Sequence, residues 1–376
     1  MEAPVRKNLI LIPNVYDFHG VRELLDSFCE KNQLDYYFYS LHHLKQSLDQ
    51  KALSLEFKNL IQKNQILLFL VPVAIQVNQE LVEFLNHQPR SFGSPSTGLD
   101  HVDQSFLREV KIPFFSAEGE NRDSVVEYVL TALSYVLDYQ RWRKRDFCVG
   151  IIGYGRIGSL LGKILKDFGI PIIAVDPFVF PKEYKKNLEE IRHCDVITFH
   201  VPLTKDQYPT YHMVDLEFLK NLKSSIIINT SRGKIFTEEA YLYCIENFDS
   251  IMDVYYFEPP KAEYFLSKRL KISTPHTAGY HWQSRFRGMF KILKDFSHHF
   301  QFEFSFEVSD FFPKQYEIEI FSSIMEETTK LKQHVSFFSK IRSQYPIRAG
   351  IKEQKYQRNW DPIKKELYDY FMGFYS

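Results

Sequence analysis

The sequence has 376 residues, and at about 150 residues per domain this length predicts two or three domains. Its 47 basic and 47 acidic residues give zero net charge, whereas a general binder of nucleic acids or anionic membranes needs a basic excess. Hydrophobic residues make up 44% and aromatic residues 16% of the chain, which argues against long disordered stretches.

Short apolar runs alternate with helical patterns over the first 115 residues. The runs predict strands at 9–12, 36–39 and 66–71, and an amphipathic pattern predicts a helix at 21–30. This alternation is typical of a parallel sheet with helices on its faces. Two glycines and a proline within seven residues predict a loop over 92–98.

A second α/β region follows. Apolar residues at helical spacing predict a long helix over 122–139, and we interpret the basic segment 141–145 after it as a solvated hinge rather than a charged patch. Further apolar runs predict six strands, at 148–152, 172–175, 196–200, 226–229, 251–254 and 271–273. A final helix is predicted over 283–302.

The last 70 or so residues differ in pattern. Apolar residues recur there on one helical face, at Ile324, Leu331, Val335, Phe338 and Ile341. The dipeptide Asp361-Pro362 is typical of a helix start. We predict a small accessory or dimerisation unit in this segment.

Metal sites and secretion signals have little support in the sequence. The histidine pairs 42–43 and 298–299 lack partners at ligand spacing, so we assign them structural roles and predict no metal site. The N-terminal apolar run, 9–12, is too short for a signal peptide, and the longest apolar run, 66–75, is too short for a membrane span. The cysteines are scattered and form no C-x-x-C pair, which is typical of a reducing compartment: Cys29, Cys148, Cys194 and Cys244. We therefore expect a cytoplasmic, soluble protein.

A glycine motif follows the first strand of the second region. Gly153-Tyr-Gly155-Arg-Ile-Gly158 has the pattern G-x-G-x-x-G, a helix is predicted over 159–168, and the next strand ends at Asp176, 23 residues after Gly153. The dinucleotide-binding fingerprint requires this context. Gly153 permits the tight turn, Gly155 lets the backbone approach the pyrophosphate, and Gly158 lets the helix pack on the strand.

The charge of Asp176 indicates which cofactor is bound. Its carboxylate is expected to accept hydrogen bonds from both ribose hydroxyls of the adenosine, and it disfavours the 2′-phosphate of NADP. The sequence therefore favours NAD. The alternative is a glycine turn in a flavodoxin-like domain that binds no cofactor.

Three polar segments follow predicted strands of the same region. They have the sequences NTSRG, DVYYFEP and TPHTAGY and contain Arg232, Glu258 and His276. Because ligands of open α/β sheets bind beyond the carboxyl ends of the strands, we expect these three side chains to converge. Taken separately, each has an ordinary alternative: a helix-capping arginine, a surface acid and a structural histidine.

These residue types suit the oxidation of a 2-hydroxy acid. That reaction needs a hydride acceptor, a base for the hydroxyl proton and a cation for the carboxylate. His276 is predicted as the base, because imidazole ordinarily titrates near neutral pH. Glu258 would orient the imidazole and stabilise its protonated form, and Arg232 would bind the carboxylate and polarise the C2 oxygen.

The three polar segments resemble the motifs that carry Arg, Glu and His in the D-isomer-specific 2-hydroxyacid dehydrogenases. The segment Ser96-Thr97-Gly98 is similar to that family's substrate loop, so the resemblance implies that its backbone and hydroxyl groups contact substrate. It also implies a substrate contact by Tyr280. Further cofactor contacts are implied for Arg156, Ile157, Val201, Asp253 and Gly279.

The resemblance implies an α/β fold with three parts. A Rossmann-type doubly wound parallel sheet domain would bind NAD over residues 116–282. A flavodoxin-like discontinuous domain, 1–115 and 283–305, would bind substrate. Residues 306–376 would form a small C-terminal α+β dimerisation domain, so that a homodimer is expected.

Within the family, the similarity is greatest to a subfamily of pyridoxine biosynthesis that oxidises a phosphorylated 2-hydroxy acid. The segments that carry it are GLDHVD at 98–103, SVVEYV at 124–129, TFHVPL at 198–203 and TPHTAGY at 274–280, with YPIR at 345–348 similar to its dimerisation domain. The subfamily has an Arg-Ser pair after an early strand. Here Pro72-Val73 occupies that place, and neither side chain can donate a hydrogen bond.

Three functions remain open at this point. The first is NAD-dependent oxidation of a phosphorylated 2-hydroxy acid. The second is a 2-hydroxyacid dehydrogenase or 2-oxoacid reductase with an unphosphorylated substrate. The third is a non-catalytic NAD-sensing protein, against which the complete Arg232, Glu258 and His276 set argues. We expect neither nucleic acid nor membrane as a partner.

Overall fold

The computed structural model describes residues 6–18, 20–137, 139–205 and 207–311, and the short stretches 318–319, 328–329, 348–349, 365–367 and 369–370. The chain divides into two compact units. The first unit comprises residues 1–120 and 285–315, and the second comprises residues 121–284 and 316–376.

The first unit alternates strands and helices, as the sequence pattern predicts. Its strands are β1 (Lys7–Pro13), β2 (Asp35–Tyr39), β3 (Asn64–Leu70), β4 (Phe92–Ser94) and β5 (Phe114–Ser116). Its helices are α1 (Val21–Asn32), α2 (Leu41–Asp49), α3 (Leu55–Lys63), α4 (Gln79–Phe84) and α5 (Gln104–Glu109).

The strands of this unit form one parallel sheet. In the part of the chain that the structure describes, the order is β2-β1-β3-β4-β5, which is the flavodoxin-like order and confirms that prediction. Polar side chains cap the helices: the Ser54 hydroxyl, the Asn78 amide oxygen and the Asp103 carboxylate each accept an N–H from the first helical turn. These bonds satisfy donors that a helix start leaves unpaired.

Aromatic residues fill one side of the first unit. Phe28 of α1 contacts Phe296, Phe302 and Phe304, with ring centroids 5.8–6.4 Å apart. Phe296 belongs to a long helix, Trp282–Phe300, that lies in this unit from Arg285 onward. Aromatic residues therefore pack this helix and the segment after it against α1.

The loop predicted over 92–98 is partly wrong. Phe92–Ser94 is a strand, and it pairs in parallel with Phe69 and Leu70 on one side and with Phe114 to Ser116 on the other. All three of its residues are buried. Its central Gly93 leaves room for Leu70, whose Cδ2 would lie 2.7 Å from an added Cβ, so a glycine there marks close packing rather than a turn.

The second unit repeats the α/β alternation. Its strands are β6 (Val149–Ile152), β7 (Ile172–Val175), β8 (Val196–Phe199), β9 (Ile226–Asn229), β10 (Asp249–Met252) and β11 (Leu270–Ser273). Its helices are α6 (Arg122–Val136), α7 (Tyr139–Lys144), α8 (Arg156–Asp167), α9 (Tyr184–Glu190), α10 (Leu216–Lys220) and α11 (Glu238–Asn247), followed by α12 (Trp282–Phe300), which begins here.

All strand pairs described in this sheet are parallel, and the order is β11-β10-β9-β8-β6-β7. The strand order reverses between β6 and β8: the chain runs from β6 to β7 on one side of this point and from β8 to β11 on the other. Such a switch point is where doubly wound sheets bind dinucleotides. The central strands β6 and β9 consist mostly of Val and Ile because both faces of the sheet are covered by helices. The α/β prediction of two parallel sheets is confirmed.

The solvated hinge predicted over 141–145 is wrong. Tyr139–Lys144 is a helix, and Trp142 is fully buried within it. Arg141 forms an ion pair with Asp195, and Arg145 pairs with Glu366 while its guanidinium lies 5.3 Å from the Trp142 ring. The basic run therefore packs against distant segments of the same unit.

Most of the C-terminal prediction lies outside the described residues, including the apolar face from Ile324 to Ile341 and the helix start at Asp361-Pro362. Within the described stretches, Ile318–Glu319 and Arg348–Ala349 form a short parallel pair, β12 and β13. No helix among the described residues is both long and apolar enough to cross a membrane.

Candidate active site

The predicted site residues of the second unit follow the carboxyl ends of its strands. The glycine motif begins directly after β6, and Asp176 comes directly after β7. Arg232, Asp253 and His276 follow β9, β10 and β11 within three residues. Because the strands are parallel, these segments lie along one edge of the sheet, where α/β sheets bind their ligands.

The glycine motif is shaped by close backbone approach. Gly153 has φ of +90°, and a Cβ on it would lie 2.5 Å from the carbonyl oxygen of His200, at the switch point between β6 and β8. A Cβ on Gly158 would lie 2.1 Å from the Gly153 carbonyl oxygen. Gly155 precedes α8 and has nothing within 4 Å of an added Cβ. The first and third glycines are thus required by close packing within the protein, whereas the second leaves space at the N-terminus of α8.

Asp176 connects the glycine motif to the strand beside it. Its carboxylate accepts the backbone N–H of Tyr154 at 2.9 Å, and those of Phe178 and Val179 at 2.9 and 3.1 Å. These bonds hold the carboxylate at the end of β7, next to the glycine turn. This is the position from which a carboxylate can bind ribose hydroxyls.

The other predicted cofactor residues surround the same turn or the loop after β11. Arg156 and Ile157 are the first two residues of α8. The Val201 side chain lies 2.8 Å from the Cβ position of Gly153, and the Asn121 side chain lies 3.2 Å from that of Gly279. Their cofactor contacts stay predictions.

His276 and Glu258 form a pair. The His276 Nδ1 lies 3.0 Å from the Glu258 Oε2, and both side chains are about a quarter exposed. Glu258 also accepts the backbone N–H of Tyr255 at 3.3 Å. Since the carboxylate is bound to Nδ1, it favours the tautomer with the proton on Nδ1, which leaves Nε2 as the atom able to accept a proton.

Arg232 is placed by the glycine that follows it. A Cβ on Gly233 would lie 1.8 Å from the carbonyl oxygen of Tyr255, so the segments after β9 and β10 touch backbone to backbone. The Asn229 amide donates to the Arg232 carbonyl at 3.0 Å, and one guanidinium nitrogen donates to the Ser231 carbonyl at 2.8 Å. The side chain is half-buried at the same edge of the sheet.

Asp253 holds the loop that carries His276. Its fully buried carboxylate accepts the Thr274 hydroxyl at 2.6 Å and the N–H groups of Thr277 and Ala278 at 2.7 and 3.0 Å. Its carbonyl oxygen accepts the His276 N–H at 2.7 Å. Burial raises the pKa of Asp253, although these donors and the nearby His276 oppose the rise. His276 itself has φ of +60°, a conformation that a non-glycine residue keeps only when its neighbours enforce it.

Helix α6 supports the same loop, a role that the sequence did not predict. The Ser124 hydroxyl donates to the Ala278 carbonyl at 2.8 Å, and the Tyr128 hydroxyl lies 2.6 Å from that of Thr274. Because the Thr274 proton is donated to Asp253, Tyr128 is the donor to Thr274. Both α6 side chains are buried and lie four residues apart on one helix face. The sequence signal for this role was the presence of two polar residues, four apart, in an otherwise apolar helix.

His200 is a third residue, after Ser124 and Tyr128, that sequence reasoning missed. Its ring nitrogens lie 3.0 Å from the Thr198 hydroxyl and 3.5 Å from the Thr230 hydroxyl. Desolvation lowers the pKa of His200 to about 3, so the ring is neutral near pH 7. His200 lies in the TFHVPL segment, which the sequence analysis used only for the family resemblance and without a role for the histidine.

The predicted substrate residues fall in both units. In the first unit, Ser96, Thr97 and Gly98 follow β4, and the Ser96 hydroxyl lies 3.4 Å from that of Tyr16. In the second unit, Tyr280 donates its N–H to the Thr277 carbonyl at 2.8 Å. Their substrate contacts remain predictions.

Comparisons with known proteins agree with this geometry. A family model described as "D-isomer specific 2-hydroxyacid dehydrogenase, NAD binding domain" matches residues 138–278. An erythronate-4-phosphate dehydrogenase of Bacteroides thetaiotaomicron is 31% identical over 296 residues, which are 73% of this chain and 83% of that relative. One of Acinetobacter baylyi is 33% identical over 307 residues, 79% of this chain and 84% of the relative. The chain belongs to the D-isomer-specific 2-hydroxyacid dehydrogenase family.

Solved structures share the fold of this dehydrogenase. An NAD⁺-bound 3-phosphoglycerate dehydrogenase of Entamoeba histolytica has a TM-score of 0.59 at 20% identity, covering 79% of this chain and 96% of its own. An NAD-bound formate dehydrogenase of Staphylococcus aureus has a TM-score of 0.58 at 21% identity, covering 80% and 97%.

The dehydrogenase is an oxidoreductase that uses NAD, and its own residues fit that cofactor. Helix α8 has twelve residues, and its N-terminus is open beside Gly155, so the positive end of the helix is available to a pyrophosphate. Asp176 lies across the same turn, and its contact with the ribose stays a prediction. The prediction of NAD is confirmed by the family.

The glycine motif supplies a matched pair of variants. Gly153→Ala is expected to lower the free energy of unfolding by more than about 2 kcal/mol, because the strained φ and the His200 carbonyl both oppose a Cβ. Gly155→Ala should change the free energy of unfolding by about 1 kcal/mol or less, because no atom lies within 4 Å of a Cβ added at Gly155. Gly155→Ala should instead weaken NAD binding roughly tenfold or more, which is about 1.4 kcal/mol.

Thermal unfolding and calorimetric titration with NAD separate the two effects. An unchanged melting temperature for Gly153→Ala would contradict the close-approach argument. Wild-type NAD affinity for Gly155→Ala would show that the cofactor does not approach the backbone at that residue.

Proposed function

We propose that this dehydrogenase oxidises 4-phospho-D-erythronate to 2-oxo-3-hydroxy-4-phosphobutanoate with NAD, as a step of pyridoxal 5′-phosphate biosynthesis. Three relatives that match 73%, 76% and 79% of the chain are erythronate-4-phosphate dehydrogenases. The observation that carries the chemistry is the His276–Glu258 pair, 3.0 Å apart at the carboxyl edge of a parallel sheet.

In the proposed mechanism, His276 removes the proton of the C2 hydroxyl through Nε2. Glu258 accepts the Nδ1–H and stabilises the imidazolium that forms. Bound NAD⁺ supplies the acceptor for the hydride that leaves C2. The hydroxyl proton goes to His276, and the hydride acceptor that NAD⁺ would supply takes up the two electrons, so the alcohol would become a ketone.

Arg232 has a separate role in this proposal. Its guanidinium presents two parallel N–H groups, the geometry that binds a carboxylate through both oxygens. A substrate carboxylate held there has its C2 oxygen near the same cation, which polarises the C–O bond as it becomes a carbonyl. The Tyr280 side chain and the hydroxyls of Ser96 and Thr97 are proposed as further substrate-binding groups.

One observation favours a second candidate function. Pro72-Val73 follows β3 at the carboxyl edge of the first unit's sheet, where the phosphate-using subfamily has an Arg-Ser pair. A 2-hydroxyacid dehydrogenase or 2-oxoacid reductase with an unphosphorylated substrate would need no donor there.

Parallel assays of NADH formation decide between these candidates. We expect the kcat/KM for 4-phospho-D-erythronate to exceed that for D-erythronate by at least tenfold, because a bound phosphate adds charge-assisted hydrogen bonds worth about 1.5–3 kcal/mol. Equal values would favour the second candidate. Tight NAD binding with no turnover on a panel of 2-hydroxy acids would favour the NAD-sensing alternative.

Glu258→Gln tests the pair itself. The amide keeps the size of the side chain but not its charge, so kcat is expected to fall by roughly two orders of magnitude or more while NAD affinity is unchanged. Glu263→Gln is the matched control, because Glu263 is 56% exposed and only 3.8 Å from Lys261 at the surface. A kcat for Glu258→Gln close to that of Glu263→Gln would remove Glu258 from the mechanism.

We further propose that the enzyme works as a homodimer in the cytoplasm. The YPIR segment at 345–348, which resembles a dimerisation domain, supports the dimer, and the four cysteines, which are free thiols, fit a reducing compartment. Sedimentation of the full-length chain should give twice the monomer mass. A fully active monomer would contradict the proposal.

A further inference from the structure

Two of the four cysteines lie side by side in the second unit. The Sγ atoms of Cys148 and Cys194 are 3.2 Å apart, although the two residues are 46 positions apart in the sequence. Cys148 directly precedes β6, and Cys194 lies two residues before β8, which pairs with β6 in the sheet. Parallel pairing therefore brings the two thiols together at the amino ends of these strands, away from the glycine motif at the carboxyl edge.

Hydrogen bonds between the two segments fix the positions of the thiols. The Cys148 N–H donates to the Asp195 carboxylate at 2.9 Å, and the Cys148 carbonyl accepts the Asp195 N–H at 3.0 Å. The Ser224 hydroxyl donates to the Cys194 carbonyl at 2.7 Å. A Cβ on Gly150 would lie 3.4 Å from the Cys194 Cβ, so Cys194 packs on the face of β6 that Gly150 shares with Cys148, two residues earlier.

The two thiols differ in exposure and in acidity. Cys194 is fully buried, whereas Cys148 is partly exposed. A hydrogen bond from the Cys194 thiol lowers the pKa of Cys148, although burial and the Asp195 carboxylate oppose this change. The same contact raises the pKa of Cys194. Because the thiolate is the reactive form of cysteine, Cys148 is the thiol that reacts first with an oxidant.

The other two cysteines differ from this pair. Cys29 and Cys244 are buried, and desolvation raises the pKa of each thiol to about 12. Buried thiols with a raised pKa stay protonated at neutral pH and react slowly. Oxidation is therefore expected at Cys148 before it occurs at either of them.

We propose that Cys148 and Cys194 are a peroxide-sensitive dithiol that closes reversibly to a disulfide. The Cys148 thiolate attacks one oxygen of hydrogen peroxide, the O–O bond breaks, and a sulfenic acid forms while the departing hydroxide takes up a proton. The Cys194 sulfur then attacks the sulfenic sulfur, and its proton leaves with the sulfenic hydroxyl as water. In total, two thiols lose two electrons and two protons, and one peroxide becomes two waters.

The geometry allows this bond without a change of strand pairing. A disulfide has an S–S distance of about 2.05 Å, so the sulfur atoms must approach by roughly 1 Å, which rotation of the side chains can supply. The bridge encloses residues 148–194, with the glycine motif and Asp176, in one covalent loop. Such a loop restricts the unfolded chain and so stabilises the folded unit. Closure also protects Cys148 from the irreversible sulfinic and sulfonic acids.

The experiment treats the full-length protein with increasing hydrogen peroxide and follows its thiols by mass spectrometry of non-reduced peptides. We expect a cross-linked peptide pair containing Cys148 and Cys194, lighter by two hydrogen atoms than the reduced pair. The free thiols should fall from four to two per chain, and a small dithiol reductant should restore all four. The melting temperature of the oxidised protein should exceed that of the reduced protein by about 5 °C or more.

Two variants and a control separate the roles of the thiols. In Cys194→Ser, the sulfenic acid of Cys148 should persist, react with dimedone, and otherwise proceed to a sulfinic acid that the dithiol does not reverse. Cys148→Ser should form neither the dimedone adduct nor the bridge. Cys29→Ser is the matched control, because it removes a buried thiol outside the pair, and it should form the bridge as the wild type does.

Either of two results overturns the proposal. If peroxide oxidises Cys29 or Cys244 before Cys148, then Cys148 is not the sensitive thiol. If Cys148 of the wild type proceeds to a sulfinic acid, or to a mixed disulfide with an added thiol, without a bridge to Cys194, then the pair does not act as a dithiol. Both results are obtained on the wild-type protein and need no substrate turnover, so neither a poorly folded variant nor a failure of the proposed function affects them.

Discussion

The geometry of the candidate active site depends on one buried carboxylate. An uncompensated charge at Asp253 would cost several kcal/mol, so the loop after β11 must supply donors to it. Three do so, and hydrogen bonds to a charged acceptor contribute about 1.5–3 kcal/mol each. The left-handed conformation of His276 costs about 1–2 kcal/mol, which this set of bonds exceeds. The burial of Asp253 thus explains why the histidine loop has a single shape.

Helix α6 extends this constraint away from the sheet. The Tyr128 hydroxyl donates to the Thr274 hydroxyl, which in turn donates to the Asp253 carboxylate. The three groups therefore form a chain of hydrogen bonds that ends on the buried charge. Such chains strengthen their members by mutual polarisation. The Ser124 hydroxyl donates to the carbonyl of Ala278, at the other end of the loop. The loop is therefore held from the strand below and from a helix beside it, while its histidine side chain stays partly exposed toward Glu258.

The sequence predicted most strands and the catalytic candidates because their signal is local: apolar runs end in polar loops, and parallel strands bring those loops to one edge. Strand β4 was missed because three residues containing a glycine show no periodicity, and only its neighbours make it a strand. The segment 141–145 was misinterpreted because Arg141 of α7 and Arg145 after it pair with Asp195 and Glu366, 54 and 221 residues away. The polar residues of α6 were a signal for the support of the histidine loop, but they did not identify its partner, because Tyr128 lies 146 residues from Thr274 and a tyrosine in an apolar helix is equally consistent with core packing.

The carboxylate that is predicted to select the cofactor, Asp176, also has a structural role. Asp176 holds the glycine turn through the Tyr154 N–H and its own loop through Phe178 and Val179. A 2′-phosphate would place its negative charge against this carboxylate, and Coulomb repulsion between like charges at contact distance is unfavourable even in a polar environment. Replacing Asp176 by a neutral or basic residue would admit the phosphate but would also release the turn that Gly153 shapes. With Asp176 at the ribose, as the sequence predicts, the preference for NAD would depend on the backbone of the binding loop as well as on its charge.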